Sequence, residues 1–366
     1  MNLRCIAIEE LPDKETLWDE AVSSSKDGWF WHTRANFAFN LCAAEKMEAR
    51  DHSFFVFDGE KPLALVPLLT HKTKLGDYDG IEASYYGGPL PWPCFIDTGA
   101  LQKELEDFTF KELERRAADA GAGRIHLIMS PAIPAGNEYE RFSNIVFSHA
   151  FLDSGYYSHF MPVTPAALDG VRERYRRYVK KYSPLYEVSV LDGPAVDTEI
   201  EDAYFRLHVK DAGGQFRSRG SYARQMDLAR RREAFVMSAK HKESGVLAGM
   251  LLVSFYKKAA YDNSVAVDPD HHQNYVSHLL KWNAISELVK RGAVSYELGI
   301  KAELPDLMRI PSRKNLGISN FKDGWARGSV KRVFVADKFL SQAHLAAFMK
   351  TTQDCLEGWF GEKHPS

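Results

Sequence analysis

Two groups of basic residues stand out in the chain. Arg172, Arg176 and Lys180 recur every four residues within VRERYRRYVKKY, with Arg177 and Lys181 beside them, so a helix there carries cationic stripes. Lys210, Arg217 and Arg219 follow on the next helix and loop, near Tyr222. An arginine fork offers two parallel hydrogen bonds, a geometry that suits a diphosphate. Two readings stay open for these residues: a site for a nucleotide-activated or lipid-diphosphate acceptor, and a solvated charged face. Asp262, in Tyr261-Asp262-Asn263, is a candidate to take the proton from an attacking ammonium, provided a neighbour raises its pKa. The alternative is a partly exposed strand aspartate bonded to a loop. Glu297, just before Gly299, is a similar case, and His208 is either a base or a packed helix histidine. Tyr85, Tyr86 and Trp92 either line an acceptor groove or serve as core and loop packing.

Other chemistries find little support. Asp268-x-Asp270-His271-His272 contains metal-ligating types, but adjacent histidines on one turn rarely converge and no further ligand is spaced for the centre. A solvated turn is expected there, and no metal. There is no GxSxG elbow, no P-loop and no GxGxxG fingerprint. Covalent catalysis is therefore not indicated. Direct attack of an amine on a bound acyl donor, aided by orientation and charge stabilisation, is the economical mechanism.

The elements that must position these residues centre on 245–300. Val246 to Phe255 and Ala259 to Val267 read as two strands joined by a Tyr256-Lys257-Lys258 turn. Asp268-Pro269-Asp270 stops the second, since proline donates nothing to a ladder. Leu279, Trp282, Ile285 and Leu288/Val289 then recur at helical spacing within Tyr275 to Lys290, and Gly292 closes that helix. Val294 to Leu298 is a short strand. The first half repeats the order: helices, a hairpin from Phe54 to Leu69 turning at Asp58-Gly59, the Gly/Pro loop Tyr85 to Pro93, a helix from Ala100 to Ala120, and a strand from Arg124 to Met129. The second half opens with the basic helix Val171 to Tyr182, a strand Tyr186 to Leu191, and helices Asp197 to Asp211 and Tyr222 to Arg232. After Ile300 come a segment with Pro305 and Pro311, a strand Val330 to Val335 and a last helix Ser341 to Trp359. Self-similarity without sequence repetition predicts an α/β (α+β) chain holding two copies of one fold, 1–164 and 165–366, with the last helix packing back on the first.

Length and composition agree. At roughly 150 residues per domain, 366 residues hold two domains. A chain that is 45% hydrophobic and 26% charged is an ordinary globular protein, and a net charge of -2 supplies no field drawing it to DNA or a membrane. The four cysteines, Cys5, Cys42, Cys94 and Cys355, form no CxxC pair and read as reduced thiols. No run approaches the roughly 18 apolar residues of a membrane span, and MNLRCIAIEELPDKE has no apolar signal core. The expected location is cytoplasmic.

Taken together, the pieces resemble the FemAB family of peptidyl and acyl transferases, in its GNAT-like branch. The matching pieces are Phe54 to Leu69 with the Tyr86-Gly87-Gly88-Pro89-Leu90 loop, Arg172 to Lys181, Leu207-His208 to Tyr222, Gly249 to Val267, Leu279 to Gly292, Glu297-Leu298-Gly299 and Asn320-Phe321-Lys322. The resemblance implies two tandem GNAT-like (acyl-CoA N-acyltransferase) domains with the substrate cleft in or beside the second. It implies that Lys322, of the Phe321-Lys322 pair, lies beside the donor and steadies negative charge as the amine attacks, and that Asp262 stands on the strand lining the cleft. Characterised relatives move an aminoacyl group from aminoacyl-tRNA to an amine of a cell-wall precursor, and others are thought to use acyl-CoA on envelope sugars.

Two departures bear on the donor. The second domain lacks the long charged helical hairpin of some tRNA-dependent members, which weakens the tRNA reading. The turn Pro269 to Ser277, where GNAT enzymes cradle the coenzyme A pyrophosphate, has no glycine and carries Asp268 and Asp270, which disfavours CoA. Three functions follow. The first is aminoacyl transfer from aminoacyl-tRNA to a small-molecule or lipid-linked amine. The second is acyl-CoA-dependent transfer to an amino sugar or secondary metabolite. The third is a non-catalytic RNA-binding module. No tightly bound cofactor is expected in any of them.

Overall fold

A computed structural model describes residues 2–96, 102–129, 132, 138–302 and 311–361. It divides into two compact units: unit 1 takes 1–156, 302–316 and 332–366, and unit 2 takes 157–301 and 317–331. This differs from a single boundary at 164, because the end of the chain returns to the first unit. Ala100, Leu101 and Pro305, which enter the sequence expectations, fall outside the described residues.

Unit 1 runs β1 (Leu3–Ala7), α1 (Lys14–Ser24), α2 (Arg34–Ala43), β2 (Arg50–Asp51), β3 (Phe54–Asp58), β4 (Lys61–Val66), β5 (Leu69–Leu75), β6 (Tyr78–Ala83), β7 (Leu90–Pro91), β8 (Cys94–Phe95), α3 (Gln102–Asp119), β9 (Arg124–Met129), α4 (Glu138–Ser148) and β10 (Leu152–Asp153). One antiparallel sheet has the order β1-β3-β4-β8. The β3–β4 hairpin turns at Asp58-Gly59, where Gly59 takes φ +60. Trp29, Phe30, Trp92, Phe110 and Phe142 are fully buried in this unit.

Unit 2 runs β11 (Tyr156–Pro162), α5 (Glu173–Tyr182), β12 (Tyr186–Leu191), α6 (Thr198–Ala212), α7 (Arg219–Arg230), β13 (Ala234–His241), β14 (Leu247–Tyr256), β15 (Ala259–Val267), α8 (Val276–Lys290) and β16 (Ser295–Ile300), then most of α9 (Arg313–Ala326). From Arg332 onward, β17 (Val330–Phe339) and α10 (Gln342–Gly361) belong to unit 1. There β17 pairs with β9, while β9 runs parallel to β6.

The sheet of unit 2 has the order β12-β13-β14-β15-β16-β11, antiparallel except for β15 and β16. α8 makes the crossover that a parallel pair requires. Strand alternation separates the two faces. Phe235, Met237, Leu251, Val253, Tyr296 and Leu298 pack with Tyr175 and Val179 of α5, Leu280 and Ile285 of α8, and Trp325 of α9. The intervening positions, such as Val236 and Leu252, face the other way, toward α6 and α7.

β15 and β16 pair over three residues only: Ala259 with Ser295, Ala260 with Tyr296 and Tyr261 with Glu297. Beyond these β15 stays with β14 and β16 with β11, so the parallel pair opens into a fork at its C-terminal end. Ligands of open α/β sheets bind at that end of the strands. A bulge between Leu252 and Val253 sits beside the fork. It sets Asp262 opposite Val253, on the α8 side, and Ser264 opposite Leu252, on the α6 side.

Candidate active site

The fork collects a group of ionisable side chains. Lys281 projects from α8 into it and is ion-paired with the Asp262 carboxylate. The Lys281 ammonium also donates to the Tyr296 hydroxyl at 3.1 Å, and that hydroxyl donates to Asp262 Oδ1 at 3.0 Å. The three form a closed buried triangle. Burial pushes the Lys281 ammonium below its ordinary range, opposed by Asp262. Burial, with Asp262 second, holds the Tyr296 phenol well above its own.

Lys322 reaches the same region from α9. Its ammonium lies where a Cβ on Gly299 would come, 2.7 Å away, and Gly299 takes φ +96. Glycine at 299 therefore meets a backbone need and a space need together. Among the described residues Lys322 has no hydrogen-bond or ion-pair partner. Burial lowers its pKa and the Lys281 ammonium lowers it further, while Asp262 and Glu297 oppose them.

Glu297 is 1% exposed, and its Oε1 accepts from the Ser158 hydroxyl at 2.8 Å. Burial raises its carboxyl to about 7, against the pull of the Ser158 hydrogen bond, Lys322 and Lys331. Next to it on β11, His159 Nε2 lies 3.1 Å from Ser319 Oγ of α9.

α9 is held in place by residues expected to bind substrate. Phe321 packs against Tyr175, ring centroids 5.8 Å apart, and edge-on against His278 at 4.9 Å. Arg172 hydrogen-bonds Asn320 Oδ1 and Asp323 Oδ2, both at 3.3 Å, while its backbone N–H donates to the Gly324 carbonyl. Gly324 allows this approach, since a Cβ there would meet the Tyr175 ring at 2.2 Å. Arg172 and Phe321 thus anchor the helix that presents Lys322.

The remaining basic residues do not join them. Arg176 is exposed on α5. Lys210 pairs with Asp268 at 2.6 Å and Asp270 at 2.9 Å. Arg217 stacks on the buried Tyr222 ring at 4.3 Å and donates to Gln225 Oε1, and Arg219 pairs with Asp202. These groups lie on the α6/α7 face and Arg172 on the α5/α8 face, so the basic patch is split by the sheet. Spacing along the chain brought them close in sequence, whereas alternation sends the two helix layers to opposite sides.

Three open readings are narrowed. Asp262 is committed to Lys281 and Tyr296, which engage both of its carboxylate oxygens. Tyr85 and Trp92 are core residues of unit 1: the Tyr85 hydroxyl donates to the Trp31 carbonyl at 3.1 Å, and Trp92 packs on Phe110. Tyr86, also in unit 1, is half-buried in the turn closed by the Tyr85–Gly88 bridge. His208, within 3.2 Å of Ser264 Oγ, is pushed down to about 4 by burial and Arg217, so it is neutral at pH 7. The triangle of Lys281 and Tyr296 was missed from sequence. The signal was a lysine at helical spacing with the buried His278, Ala284, Ile285 and Leu288.

The turn between β15 and α8 is a 3-10 turn, Pro269–Asn274. Asp268 Oδ1 takes the Asp270 N–H at 3.1 Å, and Asp268 O takes the His271 N–H at 2.8 Å. His272 Nε2 lies 3.1 Å from Asp211, and His271 Nδ1 lies 2.8 Å from the Tyr186 hydroxyl. Among the described residues no cluster of three or more His, Cys, Asp or Glu is arranged to hold a metal, and no helix is long and apolar enough to cross a membrane.

No family model matches the sequence, and no curated protein is significantly similar to it. Solved structures are similar in fold. FemX superposes with a TM-score of 0.65 at 13% identity, covering 94% of this chain and 99% of that one. The chain shares the FemX fold. A tandem GNAT protein from the clavulanic acid biosynthesis pathway, in a structure without AcCoA, gives 0.54 at 13% identity over 93% and 99%. L-PGS from Bacillus licheniformis gives 0.54 at 12% identity over 82% and 88%. The architecture is accordingly α/β with two tandem GNAT-like domains, related to the FemX-type and GNAT acyltransferase fold.

Proposed function

We propose that the chain is an N-acyltransferase that moves an aminoacyl group from an activated ester, aminoacyl-tRNA, to the primary amine of a small or lipid-linked cell-envelope precursor. The observation that carries this reading is Lys322: a half-buried ammonium with no counter-ion bond among the described residues, over Gly299, at the opening of a parallel strand pair. Such a group is placed to receive negative charge that appears only during reaction. The amine nitrogen bonds to the carbonyl carbon, and the carbonyl electron pair moves onto oxygen beside Lys322. On collapse the ester C–O bond breaks, the nitrogen sheds a proton and the leaving oxygen gains one. Lys281, bound to Asp262 and Tyr296, keeps a second positive charge nearby, which favours the oxyanion and depresses the Lys322 pKa.

The β15–α8 turn supports an ester donor over acyl-CoA. The Asp268 side chain and carbonyl occupy the Asp270 and His271 N–H groups, and Asp268 and Asp270 put carboxylates where a pyrophosphate would rest. The test offers labelled aminoacyl-tRNA and labelled acetyl-CoA in parallel to a panel of primary amines. Amide is expected from the tRNA ester. Transfer from acetyl-CoA alone would overturn the donor, and transfer from neither would overturn the reading.

A further inference from the structure

Helix α5 carries positive charge that the rest of the unit leaves unanswered. Arg174, Arg176, Lys180 and Lys181 are exposed on it, and none has an ion-pair partner among the described residues. The one acid of the helix, Glu173, lies 4.0 Å from Arg177. By contrast Lys210, Arg219 and Lys350, equally exposed on other helices, each pair with a carboxylate. Tyrosines interleave with these cations. Arg174, Arg177, Tyr178 and Lys181 stand at i, i+3, i+4 and i+7, on one stripe of the helix, and Tyr182 follows at i+8. Tyr178 stacks on Tyr275, the residue before α8, with ring centroids 3.8 Å and planes 9° apart. Tyr182 is tilted against the same Tyr275 ring at 5.8 Å. Tyr275 holds φ +54, a left-handed conformation uncommon for a bulky side chain. From this stack, ring contacts run toward Lys322: Tyr275 to His278 at 5.3 Å, then His278 to Phe321 at 4.9 Å.

We propose that this stripe of α5, together with Tyr275, is the docking surface for the RNA of the donor: Arg174, Arg177 and Lys181 lie along its phosphates, and the Tyr178–Tyr275 pair stacks a base of its single-stranded 3′ end. This rests on the aminoacyl-tRNA reading. A basic helix can also meet an anionic lipid surface, but such a helix buries large apolar side chains in the bilayer. The apolar residues of α5, Tyr175 and Val179, are already buried against α8 and α9. What stays at the surface between the cations is tyrosine, and a basic track interleaved with aromatic rings suits single-stranded nucleic acid. The placement agrees with the chemistry. The ester sits at the 3′ end of the RNA, and the line Tyr178, Tyr275, His278, Phe321 joins the stacking platform to the residue beside Lys322.

Fluorescence anisotropy tests this with an unacylated RNA hairpin of acceptor-stem length bearing a short unpaired 3′ tail, and with the same hairpin lacking the tail. Arg174→Gln, Arg177→Gln and Lys181→Gln together should reduce the slope of log affinity against log salt by about 2. Tyr275→Gly accepts φ +54 without strain and removes the ring. It should weaken binding of the tailed hairpin by about ten-fold and leave the tail-less one unchanged, while Tyr275→Phe binds as wild type. An unchanged salt slope in the triple variant, a Tyr275→Gly chain that holds the tailed hairpin as tightly as wild type, or binding of phosphatidylglycerol vesicles in place of RNA overturns the surface. Aminoacyl-tRNA that docks on α5 without forming amide keeps the surface and loses the transferase reading. Transfer whose KM for aminoacyl-tRNA is unmoved in the triple variant keeps the transferase reading and loses the surface.

Discussion

At the scale of single residues, the fork works by leaving charges incompletely answered. Glu297 titrates near 7 while folded, against an ordinary 4.5. Between those values the folded chain holds a proton that the unfolded chain has shed, so stability falls as pH rises across that window. E297Q should flatten that slope in urea titrations at several pH values. For transfer, the rate should fall as Lys322 loses its proton below the ordinary lysine value of 10.5. A basic limb in kcat/KM below the ordinary lysine value is the expected result, and Lys322→Met should remove it. Asp262 plays a different part. Asp262→Asn strands the buried Lys281 ammonium, which should cost about 3–5 kcal/mol in unfolding free energy. That stability loss, read from the urea midpoint, separates a structural acid from a proton acceptor.

At the scale of elements, position comes from small residues and from helix α9. Gly299→Ala forces a Cβ to 2.7 Å from Lys322 Nζ at φ +96, so it should destabilise by about 1–3 kcal/mol and displace the ammonium. Thermal unfolding and the pH profile together check this. The strands and α8 were legible in the sequence, because Leu279, Ile285 and Leu288 repeat at helical spacing and Asp268-Pro269 ends β15. The triangle was less legible. Lys281 looks like one more surface lysine until its spacing from Ile285 is weighed, and Tyr296 depends on a strand pairing no local pattern encodes. The basic patch misled for the same reason. α5 and α6 are successive helices with only β12 between them, but nothing in their composition says that they cover opposite faces of a sheet formed later in the chain.

At the scale of the whole molecule, the tandem GNAT-like plan was readable from the repeated order of helices, hairpin, loop, helix and strand. The sequence reading sent the last helix back toward the first domain but not β17, whose place in unit 1 depends on long-range pairing with β9. The occupied N–H groups and carboxylates of the β15–α8 turn predict that acetyl-CoA does not raise the melting temperature. The central claim, that Lys322 steadies the oxyanion of an acyl transfer, is tested most directly by single-turnover amide formation from aminoacyl-tRNA, comparing wild type with Lys322→Met. Circular dichroism confirms that the variant is folded. The account predicts a fall of at least about 10²-fold in the rate of the chemical step. A folded Lys322→Met chain that transfers as fast as wild type would contradict it.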